Sequence, residues 1–175
     1  MTVSRTYLNY RMSNHQNTIH SFRWLDSPEW NVSIFSFLLS FFWEIQQMPF
    51  YQIPSELSYF DITSNCTLAT MGDVGISLTS FWVVAAISRS RQWFHQPSRW
   101  QIGIFTLVGV AITVIFEALA TGSLGVWAYA DSMPTLPIFG TGLLPLLMWM
   151  LIPPLTIWFV KRQLSHVRYR NSKLM

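Results

Sequence analysis

The stretch that decides the fold is Ile102–Thr121, IGIFTLVGVAITVIFEALAT, followed by Gly122–Tyr129, GSLGVWAY. Its first part is apolar over about 20 residues, and at roughly 1.5 Å per residue a helix of that length crosses a bilayer. Glu117 lies near its far end. An acidic side chain inside a membrane helix is costly, so it usually faces protein or a water-filled cavity and has a function. The stretch therefore predicts a membrane span that carries a candidate functional acid.

The composition of the whole chain agrees with a lipid environment. Of its 175 residues, 51% are hydrophobic, 16% are aromatic and only 11% are charged, which suits one domain whose solvent is mostly lipid. Cys66 is the single cysteine, so an internal disulfide and a cysteine-based metal site are both excluded. The first thirty residues lack a short apolar core with a small-residue cleavage site, so no cleaved signal peptide is expected.

Apolar segments on either side of the opening stretch predict three more spans. We expect an all-α integral membrane protein, a four-transmembrane-helix bundle with spans at about 31–50, 67–88, 102–121 and 138–160. Residues 1–30 would form a polar N-terminal tail, with an interfacial turn at Phe22–Trp24, and residues 161–175 a basic C-terminal tail. Pro145 and the pair Pro153 and Pro154 are expected to interrupt the fourth span.

The basic residues set the predicted orientation. Every lysine and arginine lies in the N-terminal tail, in the loop between spans two and three, or in the C-terminal tail. Because positive charge is retained on the cytoplasmic side, both termini are expected in the cytoplasm, and the charge of +3 is a topology signal rather than a nucleic-acid patch. Aromatic belts are expected at the inner boundary (Trp24, Trp30, Trp93, Trp100) and the outer one (Tyr51, Tyr59, Trp127, Tyr129).

Three carboxyl groups fall at one depth of the predicted bundle. Glu44, Asp73 and Glu117 are the acids within the spans, which contain no lysine, arginine or histidine. Counted from the inner boundary, they lie roughly 20–24 Å up a core of roughly 30 Å. The sequence thus predicts a polar layer in the outer half of the membrane.

Each of these acids lies on a stripe of small or hydroxyl residues at helical spacing. Steps of three and four residues place each stripe on one helix face, and small residues allow close helix contact. We expect these faces to point inward around a polar site. The stripes are Ser33, Ser36, Ser40, Glu44 and Gln47; Thr70, Asp73, Ser77 and Ser80; Thr106, Gly109, Thr113, Glu117 and Thr121.

The chemistry of such a site has more than one interpretation. Loss of water and mutual repulsion favour a proton-holding carboxyl, which can act as a general acid or a proton carrier. The alternatives are carboxyls that only hold the helices together by hydrogen bonds, and a divalent cation held by three acids. The four histidines lie on the inner side without the spacing of a di-iron box, so no metal site is expected.

Aromatic side chains near the acids suggest a substrate class. Rings that face the site would stabilise a developing carbocation through their π faces, whereas ordinary core or lipid-facing packing is the alternative. An acid with an aromatic lining is what protonation of an unactivated double bond requires. Glu117, Asp73 and Glu44 are therefore the candidate catalytic residues. The candidate substrate-binding residues are Gln47, Trp43, Trp127, Tyr129 and Trp149.

The second half of the chain resembles a known group of membrane proteins. The segments involved are Phe116–Gly122 (FEALATG), Gly125–Tyr129 (GVWAY), Leu136–Gly140 (LPIFG) and Leu144–Trp149 (LPLLMW). They resemble the carotenoid hydratases and heterodimer-type lycopene cyclases, which add water to or cyclise a polyene end after protonation. The Pro-x-Glu-Glu motif of the cyclases is absent. The resemblance implies that Glu117 is the proton donor or its partner, with Trp127 and Tyr129 near the polyene end.

The first half has a separate resemblance. Trp43–Pro49 (WEIQQMP) followed by Gly72–Gly75 (GDVG) is similar to small bacterial membrane families of unassigned function. The expected location is accordingly a bacterial inner membrane, either plasma or thylakoid-type. The leading hypothesis is acid-catalysed hydration, cyclisation or isomerisation of a long isoprenoid or carotenoid lipid, with no cofactor.

Two other functional classes remain open. The first is a non-catalytic subunit or assembly factor of a larger membrane complex, which would use the small-residue faces for packing. The second is proton-coupled transport, for which four spans would need to form a homo-oligomer. In each case the expected partner is the lipid bilayer, with no nucleic acid.

Overall fold

Four long helices, each packed against its neighbours in the chain, make up the part of the fold that the structure describes. The structure, a computed structural model, describes residues 26–137 and 140–172, with side chains of the last helix as far as Ser165. The helices are α1 (Pro28–Gln47), α2 (Tyr59–Ser88), α3 (Arg99–Ala118) and α4 (Leu143–Ser172). Each contacts the next, and α4 closes on α1. A four-helix arrangement is what the sequence predicts.

Short turns join the helices at the two ends of the bundle. A 3₁₀ turn, Met48–Phe50, follows α1, and a π-helical turn, Leu119–Ser123, extends α3. At this end Tyr51 pairs with Tyr129 in an antiparallel β-bridge. At the other end a 3₁₀ turn, Trp93–His95, packs against α4. Successive helices therefore run in opposite directions, so the connections between α1 and α2 and between α3 and α4 lie side by side.

Three of the helices are long and apolar enough to cross a membrane: Tyr59–Ser88, Arg99–Ser123 and Leu143–Ser165. They are compatible with a lipid bilayer and a multi-pass integral membrane protein. Helix α1 has 20 residues but lies outside this group, because polar side chains recur along it. Its first turn is tied to the basic loop by an ion pair, Arg91 Nη2 to Glu29 Oε1 at 2.6 Å, with the Arg91 guanidinium 5.2 Å from the Trp82 ring.

The helix ends differ from the predicted spans for local reasons. Helix α2 begins at Tyr59 rather than near Thr67, because Ser58 and Asp61 form a capping box in which each side chain accepts from the other's backbone N–H. Helix α4 begins at Leu143 and continues through Ser172, so the predicted C-terminal tail is helical over residues 161–172. The predicted turn at Phe22–Trp24, within the N-terminal tail, lies outside the described residues.

The prolines of the fourth helix do not break it. Pro145 lies in the first turn of α4, where its missing N–H would have had no intrahelical partner. Pro153 and Pro154 lie inside α4, and the helix continues through both. The predicted interruption of this span is therefore wrong. Pro153 is fully buried and forms part of the wall of the bundle, whereas Pro154 is exposed.

The end of the bundle next to the basic loop, which is the predicted inner end, is closed by packed rings. Phe81, Phe94 and Phe105 are fully buried. The ring centroid of Phe94 lies 5.4 Å from that of Phe81 and 5.9 Å from that of Phe105. Trp93 joins them at 4.0 Å from Phe94 and is only 4% exposed, so its predicted place in an interfacial belt is wrong. The Trp93–His95 turn folds back under the bundle instead of following the boundary. We call these four rings the aromatic plug.

Candidate functional site

The polar stripes predicted to face inward are the buried faces of the helices. Fully or nearly buried positions recur at steps of three and four along α1, α2 and α3. They are Ser36, Ser40 and Gln47; Thr70, Asp73, Ser77 and Ser80; Gly109, Thr113 and Glu117. Burial of these positions thus confirms the predicted orientation of the three helices. Their polar side chains line the interior of the bundle.

The three acids lie in one neighbourhood within this interior. Asp73 and Glu117 are each 8% exposed, and Glu44 is half-buried. The charge of Glu44 interacts with those of both Asp73 and Glu117, and Asp73 and Glu117 also interact. Within residues 26–137 and 140–172, no three carboxyl, histidine or cysteine side chains form a group that could hold a metal ion.

Glu117 is held by two aromatic donors from the loop that follows it. The hydroxyl of Tyr129 donates to Glu117 Oε2, and the indole Nε1 of Trp127 approaches the same oxygen at 3.5 Å. The backbone N–H of Gly142 donates to the Tyr129 hydroxyl at 2.9 Å. The π-helical turn that ends α3 carries the chain back so that both rings reach the carboxyl. Tyr129 and Trp127 therefore bind Glu117 by their polar atoms.

A short pairing of two loops covers this end of the bundle. Gln52 N donates to Ala128 O and Ala130 N donates to Phe50 O, both at 2.9 Å. The side-chain amide of Gln52 donates to Tyr129 O at 3.0 Å. Together, residues 50–52 and 128–130 form what we call the outer cap. It fixes the backbone of Tyr129 above the carboxyl that its side chain contacts.

The two tyrosines of the outer cap stay protonated over a wide pH range. Burial raises the pKa of Tyr51 above its usual range, and the nearby charges of Glu117 and Glu44 raise it further. Burial, together with the hydrogen bond to Glu117, also raises the pKa of Tyr129. Both phenols therefore keep their hydrogens where an ordinary tyrosine begins to ionise, so Tyr129 stays a donor to Glu117.

Replacing Tyr129 with phenylalanine is expected to destabilise the protein by about 1–3 kcal/mol. The change removes a hydrogen bond to a carboxyl and leaves the Gly142 N–H without its acceptor, while the ring stays. The measurement is thermal or denaturant unfolding in detergent micelles. Tyr59→Phe is the control, since Tyr59 is 92% exposed and should tolerate the change. Equal stability of the two variants would contradict the assigned hydrogen bonds.

Glu44 belongs to a chain of hydrogen bonds on α1. Gln47 Nε2 donates to Glu44 Oε1 at 2.8 Å, and Trp43 Nε1 donates to Gln47 Oε1 at 3.1 Å. These partners follow each other at helical spacing, so α1 alone sets their geometry. The amide of Gln47, which the sequence placed among substrate-binding candidates, is thus engaged with Glu44.

Asp73 is the acid without a complete set of hydrogen bonds. Its Oδ2 has no partner among the described residues. Ser40 of α1 and Trp149 of α4 lie close enough to interact with its carboxyl, although the indole Nε1 of Trp149 is itself unpaired. Side chains from three helices therefore meet at Asp73, and two of their polar atoms, Asp73 Oδ2 and Trp149 Nε1, have no hydrogen-bond partner among the described residues.

Trp149 reaches this position because α3 carries a glycine opposite it. A Cβ on Gly109 would lie 2.2 Å from Cε3 and 2.3 Å from Cζ3 of the indole. Trp149 is 2% exposed and packs with Met148 and Ile152. The sequence places Gly109 in a small-residue stripe. It does not show that Gly109 makes room for the Trp149 ring, because that contact depends on how α4 packs against α3. Ser40 and Tyr51 were likewise missed as site residues.

Comparisons with known proteins identify no relative of this chain. No protein-family model matches the chain, and neither a curated protein nor a solved structure matches it.

Proposed function

We propose that this chain is a four-span membrane protein with both termini in the cytoplasm, in which intramembrane carboxyls perform acid catalysis on a hydrophobic isoprenoid. The observation that carries the proposal is Asp73. It is buried in the bundle, one carboxyl oxygen lacks a hydrogen-bond partner, and two further acids interact with it. A buried acid that is not used structurally is a candidate for proton transfer.

The surrounding residues divide the task between them. Asp73 is the proposed proton donor, because its free oxygen can face a substrate. Glu117 is held by Tyr129 and Trp127, so its proposed role is to stabilise positive charge that develops on the substrate after protonation. Glu44, tied to Gln47, would return the proton to Asp73. The buried face of Trp149 supplies a π surface beside the donor.

The substrate class follows from the surroundings of the site. A carbon–carbon double bond needs a strong, water-poor acid, and α2, α3 and α4 present an apolar surface from which a lipid can enter. A long isoprenoid or carotenoid is soluble in that surface. The proposed reaction begins when Asp73 protonates one terminal double bond, which places positive charge on the adjoining carbon. Loss of a proton from a neighbouring carbon to Glu44 then forms a new double bond, and Glu44 returns that proton to Asp73.

Comparison of lipid and pigment extracts from expressing cells tests this proposal. The wild-type chain is expected to produce a new isoprenoid species by mass analysis. A triple variant, Glu44→Gln, Asp73→Asn and Glu117→Gln, is expected to produce none while still accumulating in the membrane. Identical extracts from the two strains, in a host that supplies carotenoids, would refute acid catalysis on this class.

A second function is favoured by one observation on the lipid-facing side. Gly72 and Gly75 of α2 are exposed, and a Cβ at either position would meet no atom within 4 Å. Small exposed residues on a membrane helix allow another helix to approach closely. This favours a non-catalytic subunit of a larger complex. Stoichiometric co-purification of a second membrane protein, lost in a Gly72→Leu variant, would support that alternative.

A further inference from the structure

The interior of the bundle contains hydroxyl groups that make no hydrogen bond. Ser36, Ser80 and Thr156 are at most 1% exposed, and Thr113 is 5% exposed. The side-chain oxygen of each has no partner among the described residues, as is true of Thr106 Oγ1. These groups come from all four helices. An unpaired buried hydroxyl costs free energy, so five of them in one interior require an explanation.

The remaining hydroxyls on these helices show that the lack of partners is selective. Several donate to the carbonyl four residues earlier in their own helix at 2.7–2.9 Å, which satisfies them locally. They are Ser33, Thr63, Thr67, Thr70, Thr79, Thr121 and Ser165. Since this bond is open to any helical serine or threonine, the five interior hydroxyls differ from these in making no such bond to their own backbone.

The unpaired groups are distributed along the axis. Asp73 and Ser80 are seven residues apart on α2, and Thr113 and Thr106 are seven apart on α3, which corresponds to roughly 10 Å along each helix. At the outer end of this interval lie two more unpaired atoms, Asp73 Oδ2 and Trp149 Nε1. At the inner end lies the aromatic plug, with three fully buried rings.

We propose that this interval binds a chain of water molecules that connects Asp73 and Trp149 to the hydroxyls near the plug. Water is the ligand that fits, because the unpaired atoms are hydroxyls, an indole N–H and a carboxyl oxygen, and water can both donate to and accept from such groups. Buried water typically makes about three hydrogen bonds to polar groups that otherwise lack partners. At its other end the chain meets the plug, where Trp93 Nε1 also lacks a partner among the described residues.

This inference goes beyond the proposed reaction and does not depend on it. It rests on hydroxyl groups from the four helices, and it applies equally to a structural subunit that binds no isoprenoid. In a catalytic protein these waters would hydrogen-bond to Asp73, whose proton Glu44 returns.

The test measures water contact at the Trp149 indole N–H. In protein labelled with ¹⁵N-tryptophan and solubilised in detergent, the Trp149 signal is identified by its loss in Trp149→Phe. Magnetisation transfer from water to this proton is expected in the wild type. In a Thr113→Val and Thr156→Val double variant, transfer is expected to fall by at least about fivefold, the factor that corresponds to losing one typical hydrogen bond.

Thr79→Val is the matched control. Its hydroxyl donates to Gly75 O on the exposed side of α2, so transfer at Trp149 should be unchanged. If the double variant fails to fold, Ser36→Ala with Ser80→Ala replaces it. Absence of transfer in the wild type overturns the water chain. Transfer at the wild-type level in whichever double variant folds also overturns it, as does a loss of transfer in Thr79→Val equal to the loss in the double variant.

Discussion

Replacing Gly109 with alanine is expected to destabilise the protein by about 3 kcal/mol, the upper end of the usual cost of overpacking a core. The added methyl group would overlap the six-membered ring of Trp149, whose atoms lie 2.2–2.3 Å from the Cβ position. Trp149 is buried and packed against Met148 and Ile152, so its ring can turn only by displacing its neighbours. The measurement is unfolding in detergent, followed by the environment-sensitive fluorescence of tryptophan.

The matched control is Gly103→Ala on the same helix. Gly103 is exposed, and a Cβ there meets no atom within 4 Å. Since alanine favours a helix over glycine by about 1 kcal/mol, this variant should be as stable as the wild type or more so. Adding Trp149→Leu to Gly109→Ala should cost less than the sum of the single changes, because the two side chains share one space. Wild-type stability of Gly109→Ala alone would contradict the contact.

Replacing Asp73 with asparagine is expected to reduce product formation by about 10²–10⁴-fold, the usual contribution of a general acid. The amide has nearly the same volume and keeps an acceptor near Ser40, but it has no carboxyl proton to transfer. The thermal midpoint of this variant should therefore not fall. The readout is the rate at which the new isoprenoid species accumulates per molecule of membrane-inserted protein.

Asp131→Asn is the control for this prediction. Asp131 is exposed in the connection between α3 and α4, so its loss should leave the rate unchanged. Glu117→Gln keeps an oxygen that accepts from Tyr129, so a smaller loss is expected there than at Asp73. Full product formation by Asp73→Asn would remove Asp73 from the proposed role of proton donor.

The parts of the fold that the sequence predicts are those governed by local periodicity. Steps of three and four residues identify the buried face of α1, α2 and α3, and the structure buries Ser40, Asp73 and Thr113 on those faces. The prediction that the acids share one depth likewise uses only the helical rise. Neither inference needs any knowledge of which helix lies opposite.

The parts that the sequence did not predict depend on contacts between distant segments. The pairing of Tyr51 with Tyr129 joins two loops, and no local pattern marks it. The burial of Trp93 requires its turn to fold under the bundle, which an aromatic residue beside arginines does not indicate. The start of α2 was readable in principle, since Ser58 followed by Asp61 is a capping box.

The polar inner face of α1 has a consequence for how the protein is made. Serines and glutamine along this helix are buried only because α2 and α4 pack against them. A nascent α1 that is synthesised before α2 and α4 would expose those groups to acyl chains, where hydroxyls and amides are poorly tolerated. We expect α1 to remain bound to the insertion machinery until α2 and α4 have been synthesised. Assembly of the bundle and integration of its first helix would then be a single event.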